Sequence, residues 1–424
     1  MNPEMSIDAD TALWHPFANM ASVKSAQLTI TRAEDVWVWD ENGRKYLDGT
    51  ASLWYTNVGH GRREIADAVH AQMVELDAYS IFSDFANPPA LELADKLSSL
   101  APLPGGRVFL TSGGGEAIDT AAKIARRYWS EVGRPEREYL LTRTDSYHGT
   151  NGYGTSIGGI ALNREGWGPL MSETARVPWD SAEMLEAEIE RLGADRVAAF
   201  FVEPVMGAAG VYPPPPGYME LVAEVCRRHG VLLIVDSVIC GFGRLGTWFG
   251  IDRWDVEPDM ITFAKGVTSG YLPLGGVVVA DPVAAPFWEG EGTMFRHGPT
   301  YSGHPASCAA ALANIALLEA DGLVEQGRNL EGTFADALRP LADLDAFEEV
   351  RCGTGLLAAV QLSDATLERG ITPAVLGEEL RRRGLLLRAL ARELTISPPL
   401  TVSEDQIGFI AATLSEAVAG LVDG

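Results

Sequence analysis

The feature that most constrains the fold is an alternation of apolar runs and helical patterns from about residue 105 to about residue 320. Short runs rich in Val, Ile and Phe, such as AAFFVEP and VLLIVDS, alternate with amphipathic segments such as YMELVAEVCRRHG. Strands that are apolar throughout are buried on both faces, so this pattern predicts an α/β fold with a mostly parallel sheet between helices. Ligands of such sheets bind beyond the carboxyl ends of the strands, where Glu203, Asp236 and Lys265 fall.

The regions on either side of this alternation predict a second, smaller α+β domain. Near the N-terminus, Asn42-Gly43 joins two strand-like segments, which is a strong hairpin signal. Near the C-terminus, VRCGTGLLAAVQL has strand character, and Ser403 with Gln406 matches a capping box before an amphipathic helix. We expect residues 1–60 and 321–424 to form the small domain and residues 61–320 the large domain.

Composition argues against several classes of protein. The 424 residues include 58 Asp or Glu and 33 Lys or Arg, a net charge of −25. A surface this acidic argues against nucleic acid or an anionic membrane as the main partner. The four cysteines are too widely spaced for a metal cluster, which predicts reduced thiols in a cytoplasmic protein without a metal site. The acidic start lacks a signal-peptide pattern, and no stretch approaches the ~18 continuous apolar residues of a membrane span.

Two side chains at strand ends indicate a particular cofactor. Asp236 ends the run VLLIVD, and Lys265 follows the run MITFA. A lysine amine can form a Schiff base with the aldehyde of pyridoxal 5'-phosphate, while a carboxylate holds the pyridine nitrogen of that cofactor protonated. The pair therefore predicts a pyridoxal-phosphate site.

Further motifs occur around this pair in a fixed order. The glycine turn TSGGGEA runs into a helix whose N-terminus suits a phosphate. It is followed by YHG, EP, DSV, GFGRLG, AKG and HGPTY. Each motif alone is explained as well by a plain turn, a packed tyrosine or a helix start. Together they resemble the class III aminotransferases, pyridoxal-phosphate enzymes of fold type I, over nearly the whole chain from LWHPF to ISPPLTVSEDQI.

The resemblance implies roles for the residues around the cofactor ring. Lys265 is expected to form the Schiff base and to carry the proton between cofactor and substrate carbons. Asp236 is expected to pair with the pyridine nitrogen, and Tyr147 and Val238 to pack on the two ring faces. Glu203, near the ring substituents, is expected to order Asp236 or the bound substrate, and His148 belongs to the same cofactor site.

The resemblance also implies how the cofactor phosphate is held. Gly114 and Gly115 are expected to donate backbone N–H groups, and Thr300 to reach the phosphate of the neighbouring subunit. The active unit is therefore expected to be a homodimer, or a tetramer built as a dimer of dimers.

Two positions depart from the usual pattern of the family. Gly115 stands where serine is common, so one hydroxyl is missing from the phosphate site. A neutral hydrogen bond is worth roughly 1 kcal/mol, so weaker cofactor binding is expected rather than none. Ser237 replaces a glutamate beside Asp236, and the sequence does not indicate the effect.

Four residues resemble the substrate pocket of the ω-amino-acid:pyruvate branch. Trp54 and Tyr55 would form an aromatic wall, and Phe82 would extend it from the partner subunit, although such residues also fill ordinary cores. Arg388 would bind the substrate carboxylate with its planar fork. The resemblance thus implies a transaminase that moves an amino group from an amine or ω-amino acid to a keto acid, with pyruvate as acceptor, by a ping-pong mechanism.

Other functions stay open at this point. The LWHPF start also fits diaminopelargonate synthases, and a biosynthetic transaminase of more elaborate amines would share the same motifs. A pyridoxal-phosphate aminomutase or racemase would use the same site, because fold does not decide function. A non-enzymatic member of the family is expected to have lost Lys265, Asp236 or Tyr147, and all three are present.

Overall fold

The computed structural model describes residues 12–423, apart from the side chains of Lys24, Ser25 and Asp423. Residues 1–11, for which we expected no signal peptide and the beginning of the small domain, lie outside the described residues. The strands are β1 Ile30–Glu34, β2 Trp37–Asp40, β3 Lys45–Asp48, β4 Arg107–Thr111, β5 Tyr139–Arg143, β6 Thr174–Val177, β7 Val197–Val202, β8 Leu232–Asp236, β9 Met260–Phe263, β10 Gly275–Val279, β11 Phe347–Arg351, β12 Ala358–Leu362, β13 Leu385–Leu386, β14 Arg388–Ala389 and β15 Glu393–Ile396.

Helices surround and connect these strands, and the short segment α2 contains non-helical dihedral angles. The helices are α1 Met20–Ala26, α2 Ala51–Trp54, α3 Arg63–Glu75, α4 Pro88–Leu100, α5 Gly114–Glu131, α6 Gly152–Ile157, α7 Ala182–Leu192, α8 Tyr218–His229, α9 Asp281–Trp288, α10 Pro305–Ala320, α11 Leu323–Asn329, α12 Glu331–Leu338, α13 Asp364–Glu368, α14 Pro373–Arg382 and α15 Glu404–Asp423.

The central sheet has seven strands in the order β4-β10-β9-β8-β7-β5-β6. All neighbours from β9 to β6 pair in parallel, whereas β10 runs antiparallel to both β9 and β4. Every residue of β7, β8, β9 and β10 is buried. The expected mostly parallel sheet is confirmed, with β10 as its one reversed strand.

The carboxyl ends of the parallel strands position the candidate site. In β8 and β9 the pairing places Asp236 opposite Thr262, so Lys265 follows three residues beyond that pair. Glu203 comes directly after β7, and the glycine turn comes directly after β4. Because these strands run in the same direction, their ends meet at one edge of the sheet.

Two smaller sheets are built from the regions near the two ends of the chain. One has the order β1-β2-β3-β13, so strands from the N-terminal region pair with Leu385–Leu386 near the C-terminus. The other has the order β11-β12-β15-β14. The Asn42-Gly43 hairpin is confirmed by the antiparallel pairing of β2 and β3. The domain boundaries after residues 60 and 320 stay a prediction.

The last helix, α15, begins with the expected capping box. Gln406 N donates to Ser403 Oγ at 3.2 Å, and Ser403 N donates to Gln406 Oε1 at 2.9 Å. By length and composition, Glu404–Val422 could cross a membrane, and the pair α10 and α11, bent by 53°, meets the same criterion only when taken together. The apolar face of α15 contacts α12 and α14, as expected of a helix that packs on a core.

Candidate active site

A cavity of about 360 Å³ opens at the carboxyl edge of the central sheet. Its walls come from the ends of five strands and from the loop after Lys265. Nine of the residues singled out from the sequence line it, namely Tyr55, Gly114, Gly115, Tyr147, His148, Glu203, Asp236, Val238 and Lys265.

Lys265 is held in an unusual backbone conformation at this cavity. Its φ is +47°, which lies in the left-handed region that a side chain with a Cβ rarely adopts. Such strain persists only where the surrounding structure imposes it, and it is common at functional sites. Burial lowers the pKa of the Lys265 amine, although the carboxylates of Asp236 and Glu203 act in the opposite direction. The amine is therefore neutral at lower pH than that of an exposed lysine.

Asp236 is oriented by three hydrogen bonds. The imidazole of His148 donates from Nδ1 to Asp236 Oδ2 at 2.8 Å, and Nε2 of the same ring lies 2.9 Å from Thr142 Oγ1. Val238 N and Thr262 Oγ1 both donate to Asp236 Oδ1, at 3.1 and 3.2 Å. Because both oxygens already have donors, the carboxylate is fixed in one orientation.

Glu203 holds the backbone of Tyr147 in place and makes no hydrogen bond to Asp236 among the described residues. Glu203 Oε1 accepts from Tyr147 N at 3.1 Å, and Oε2 accepts from Gly207 N at 3.2 Å. Burial raises the pKa of the Glu203 carboxyl, and burial also raises the pKa of the Tyr147 hydroxyl. We expected Glu203 to order Asp236 or the bound substrate; the hydrogen bond that orders Asp236 comes from His148, and a role of Glu203 toward the substrate stays a prediction.

The glycine turn approaches the cavity with its backbone. A Cβ on Gly114 would lie 3.0 Å from Val238 Cγ1, which is tighter than an ordinary contact. A Cβ on Gly115 would instead meet the side chain of Asn151 at 3.4 Å. The Glu116 carboxylate accepts from Ser112 N at 2.8 Å and closes the turn. Of these two glycines, only Gly114 is therefore in tight contact. Both line the cavity at the start of α5, where the first N–H groups of a helix have no partner within the helix.

Trp54 and Arg388 lie together beside Lys265. The guanidinium carbon of Arg388 is 4.9 Å from the Trp54 ring centroid, and Lys265 Nζ is 5.9 Å from the same centroid. Arg388 Nε and Trp54 Nε1 are buried without a partner among residues 12–423. Burial lowers the pKa of Arg388. A stacked, incompletely hydrogen-bonded guanidinium is suited to a planar anion.

Phe82 and Thr300 lie away from the cavity of their own chain. Thr300 is exposed, and Phe82 is 47% exposed. The loops that carry them are adjacent, because a Cβ on Gly298 would be 3.5 Å from Phe82 Cζ and Asn87 Nδ2 donates to Gly303 O at 2.9 Å. One chain therefore does not bring these two residues to its own Lys265.

Sequence reasoning missed several residues of the site. Thr262, which donates to Asp236, occupies a strand position that reads as ordinary β-sheet. Leu272, Pro273 and Leu274 line the cavity from an irregular loop with no motif. Ser237, the second departure from the family pattern, donates from Oγ to Phe249 O at 2.6 Å and is fully buried, so its side chain completes the local packing.

The cavity has the donors that pyridoxal phosphate requires. The amine of half-buried Lys265 and the hydrogen-bonded carboxylate of Asp236 enter it from neighbouring strands. The glycine turn Gly113-Gly114-Gly115 lines the same cavity without side chains, so an anion can approach its backbone N–H groups. An amine, a carboxylate and a phosphate cradle in one cavity fit the aldehyde, the pyridine nitrogen and the phosphate of that cofactor.

Comparisons with known proteins agree with this chemistry. The family model "Aminotransferase class-III" matches residues 19–418. A putrescine–pyruvate aminotransferase of Pseudomonas aeruginosa is 39% identical over 402 residues, which cover 89% of this chain and 87% of that relative.

Two solved structures are similar along nearly their whole length. An (S)-enantioselective ω-transaminase from Thermomicrobium roseum has a TM-score of 0.94 and 39% identity, with 98% of this chain and 97% of that chain covered. An amine transaminase from an uncultivated Pseudomonas species, described in its pyridoxal-phosphate-bound form, has a TM-score of 0.93 and 35% identity, with 98% and 100% covered. Both comparisons confirm a fold of type I with its small α+β domain. The chain therefore belongs to the class III aminotransferases and is a pyridoxal-phosphate-dependent transaminase.

Proposed function

We propose that this enzyme transfers the amino group of an amine or ω-amino acid to pyruvate. The observation that carries this proposal is the Arg388 guanidinium stacked on Trp54 beside Lys265. A small keto acid needs a cation for its carboxylate, which Arg388 supplies. It also needs an acid–base group near its carbonyl carbon, which Lys265 supplies. The putrescine–pyruvate relative supports the same choice of acceptor.

The chain supplies a base, an orienting carboxylate and an aromatic enclosure. When bound, pyridoxal phosphate acidifies the substrate Cα–H bond by withdrawing electrons into its protonated ring. Lys265 Nζ takes that proton and returns it to a different carbon, as general base and then general acid. Its buried environment favours the neutral amine that this first step needs.

Asp236 would act electrostatically on the bound cofactor. Its carboxylate, fixed by His148 and Thr262, would stabilise a proton on the pyridine nitrogen. His148 has no exposed side-chain surface, so solvent does not compete for this bond. Tyr147 and Val238 both line the cavity and would pack on the two faces of a flat ring held there.

The test is a panel of amino donors combined with a matched pair of arginine variants. Arg388→Ala should raise the KM for pyruvate by about 10- to 100-fold, which corresponds to loss of a charged hydrogen-bonded pair. The KM for an amine without a carboxylate, such as 1-phenylethylamine, should change much less. Arg392→Ala removes an exposed arginine paired with Asp364 and serves as control. Equal effects of Arg388→Ala on both substrates would contradict its carboxylate role.

The cofactor spectrum in the same panel separates the other reactions that this site supports. A transaminase given a donor alone converts its cofactor stoichiometrically to the amine form and releases a keto product. A racemase or aminomutase returns the aldehyde form without a keto product. Preference for an 8-amino-7-oxononanoate type of substrate would instead assign the enzyme to the diaminopelargonate synthase branch.

We further propose that the active unit is a homodimer in which Thr300 of the partner subunit completes the phosphate site. Thr300 and Phe82 lie in adjacent loops outside their own cavity. Large apolar side chains are exposed in the same two segments, and such clusters mark contact surfaces. They are Tyr79, Phe82 and Phe85 in one segment and Met294 and Tyr301 in the other.

A cytoplasmic location remains our proposal. All four cysteines are free, and Cys226, Cys240 and Cys308 are buried. Free buried thiols suit a reducing compartment. Fractionation of the native host, with detection of the protein in the membrane or exported fraction, would contradict this location.

A further inference from the structure

The loop after Tyr147-His148 carries a polar side chain that the chemistry above does not use. Asn151 directly precedes α6 and occupies its N-cap position, yet its side chain makes no capping hydrogen bond. No other partner for its amide is present among residues 12–423. An asparagine at an N-cap usually accepts a hydrogen bond from the first turn of the helix. The side chain of Asn151 is therefore free for another partner.

The capping of α6 is performed instead by a residue of α5. Asp119 Oδ1 accepts from Tyr153 N at 3.0 Å and from Gly154 N at 3.2 Å. These are the two N–H groups that an N-cap side chain would bind. Because Asp119 satisfies them, the start of α6 is tied to α5, and Asn151 is held next to the first turn of α5.

Asn151 lies where the glycine turn lacks a side chain. The carbon, oxygen and nitrogen of its amide are 3.4, 3.4 and 3.5 Å from the position that a Cβ on Gly115 would occupy. The loop approaches the glycine turn closely at this point, because a Cβ on Gly149 would be only 2.9 Å from Gly115 Cα. The amide thus lies in van der Waals contact with the position that the side chain of residue 115 would take.

We propose that the Asn151 side chain donates a hydrogen bond to the phosphate of the bound cofactor. The Gly113-Gly114-Gly115 turn offers only backbone N–H groups, and Asn151 Nδ2 adds a side-chain donor to the same cradle. The inference rests on the pyridoxal-phosphate chemistry proposed above and assigns the residue that compensates for Gly115. Asn151 is then a cofactor-binding residue contributed by the loop that also carries Tyr147 and His148.

The test compares two cofactor forms that differ only in the phosphate. Asn151→Ala should weaken binding of pyridoxal 5'-phosphate to the apoenzyme by about 10- to 100-fold, as for a hydrogen bond to a charged group. The affinity for pyridoxal, which lacks the phosphate, should not change. Inorganic phosphate should also compete less well with the cofactor in the variant. Dissociation constants are measured by absorbance titration. Thr150→Ala, an exposed neighbour, is the matched control.

A rescue variant separates this role from a structural one. Gly115 does not have a positive φ, so a serine fits there once Asn151 is shortened. Gly115→Ser in the Asn151→Ala background should restore most of the lost affinity for the phosphorylated cofactor. Equal weakening of pyridoxal and pyridoxal phosphate, or no weakening of either, would overturn the inference. If the unmodified protein bound neither form, the proposed function itself would fail.

Discussion

At the scale of single residues, burial and backbone strain adapt Lys265 to its role. The residue combines a φ of +47° with a half-buried side chain beside Trp54. The same type of side chain on the surface would be charged and flexible. Asp236, by contrast, is prepared by hydrogen bonds from His148 and Thr262. Burial thus lowers the pKa of the Lys265 amine, and hydrogen bonds fix the orientation of the Asp236 carboxylate.

Replacement of Lys265 tests the covalent role of its amine. Lys265→Ala should abolish turnover and prevent covalent attachment of the cofactor. The protein should stay folded, because removing an amine whose charged form is disfavoured by burial should lower the free energy of unfolding little. Borohydride reduction followed by intact mass measurement detects the attachment, and thermal unfolding monitors the fold. Lys123→Ala serves as a lysine control outside the cavity. A mass increase that persists in Lys265→Ala would contradict the assignment.

The pKa of Lys265 leads to a pH dependence. Burial lowers it from the ordinary 10.5, so the neutral, nucleophilic amine becomes available at lower pH. The rate of cofactor attachment to the apoenzyme should rise with pH to a midpoint below 10.5, whereas a simple alkylamine in solution should show the ordinary midpoint. The folded pKa is below the unfolded one, so the associated cost in stability is full below the folded pKa and disappears as pH rises to 10.5. An attachment midpoint equal to that of the alkylamine would contradict the shift.

At the scale of secondary-structure elements, glycines determine how the site's loops pack. Gly149 has a φ of +85° and lies against Gly115 Cα. A Cβ on Gly275, in β10, would lie 2.7 Å from the carbonyl carbon of Gly113, so the reversed strand also closes on the turn. The sequence predicts the glycine turn and a mostly parallel sheet. It does not predict the reversal of β10, because a run of apolar residues carries no information about strand direction.

Two glycines in the same loop make a matched pair of variants. Gly149→Ala should destabilise the protein by about 1–3 kcal/mol and weaken cofactor binding, because the new Cβ meets backbone and φ is positive. Gly152→Ala, at the start of α6, has only Asp119 Oδ2 at 3.9 Å and should be neutral or stabilising by about 0.5–1 kcal/mol. Thermal unfolding and cofactor titration measure both effects. Equal stability of the two variants would show that the loop can rearrange.

At the scale of the whole molecule, one chain contains most of the site but not all of it. The residues that line the cavity include Tyr55 from the N-terminal region and Lys265 from the central region. Arg388, from the C-terminal region, packs on Trp54 beside Lys265. Thr300 and Phe82 stay on the exposed surface of adjoining loops. We expect the protein to sediment as a dimer, with cofactor affinity that falls when dilution separates the subunits.

Mixed dimers test which subunit provides Thr300. Thr300→Ala alone should weaken cofactor binding by about 10- to 100-fold, as for one hydrogen bond to a phosphate. A dimer of one Thr300→Ala chain and one Lys265→Ala chain should regain one tight, covalent cofactor site, since the intact Thr300 and the intact Lys265 then meet. Cofactor titration of the purified mixed dimer measures this. Absence of a tight site would show that Thr300 acts within its own chain or not at all.

The sequence by itself determined the α/β class, the strand ends at Glu203, Asp236 and Lys265, and the membership of a cofactor-binding family. These features follow from local patterns, because a run of consecutive apolar residues indicates a strand buried on both faces and the polar residue after it indicates where the strand ends. Tertiary structure alone decided that His148 rather than Glu203 orients Asp236 and that Asn151 lies over Gly115. Those contacts join residues on different elements, and their geometry depends on how strands and loops pack rather than on any local pattern.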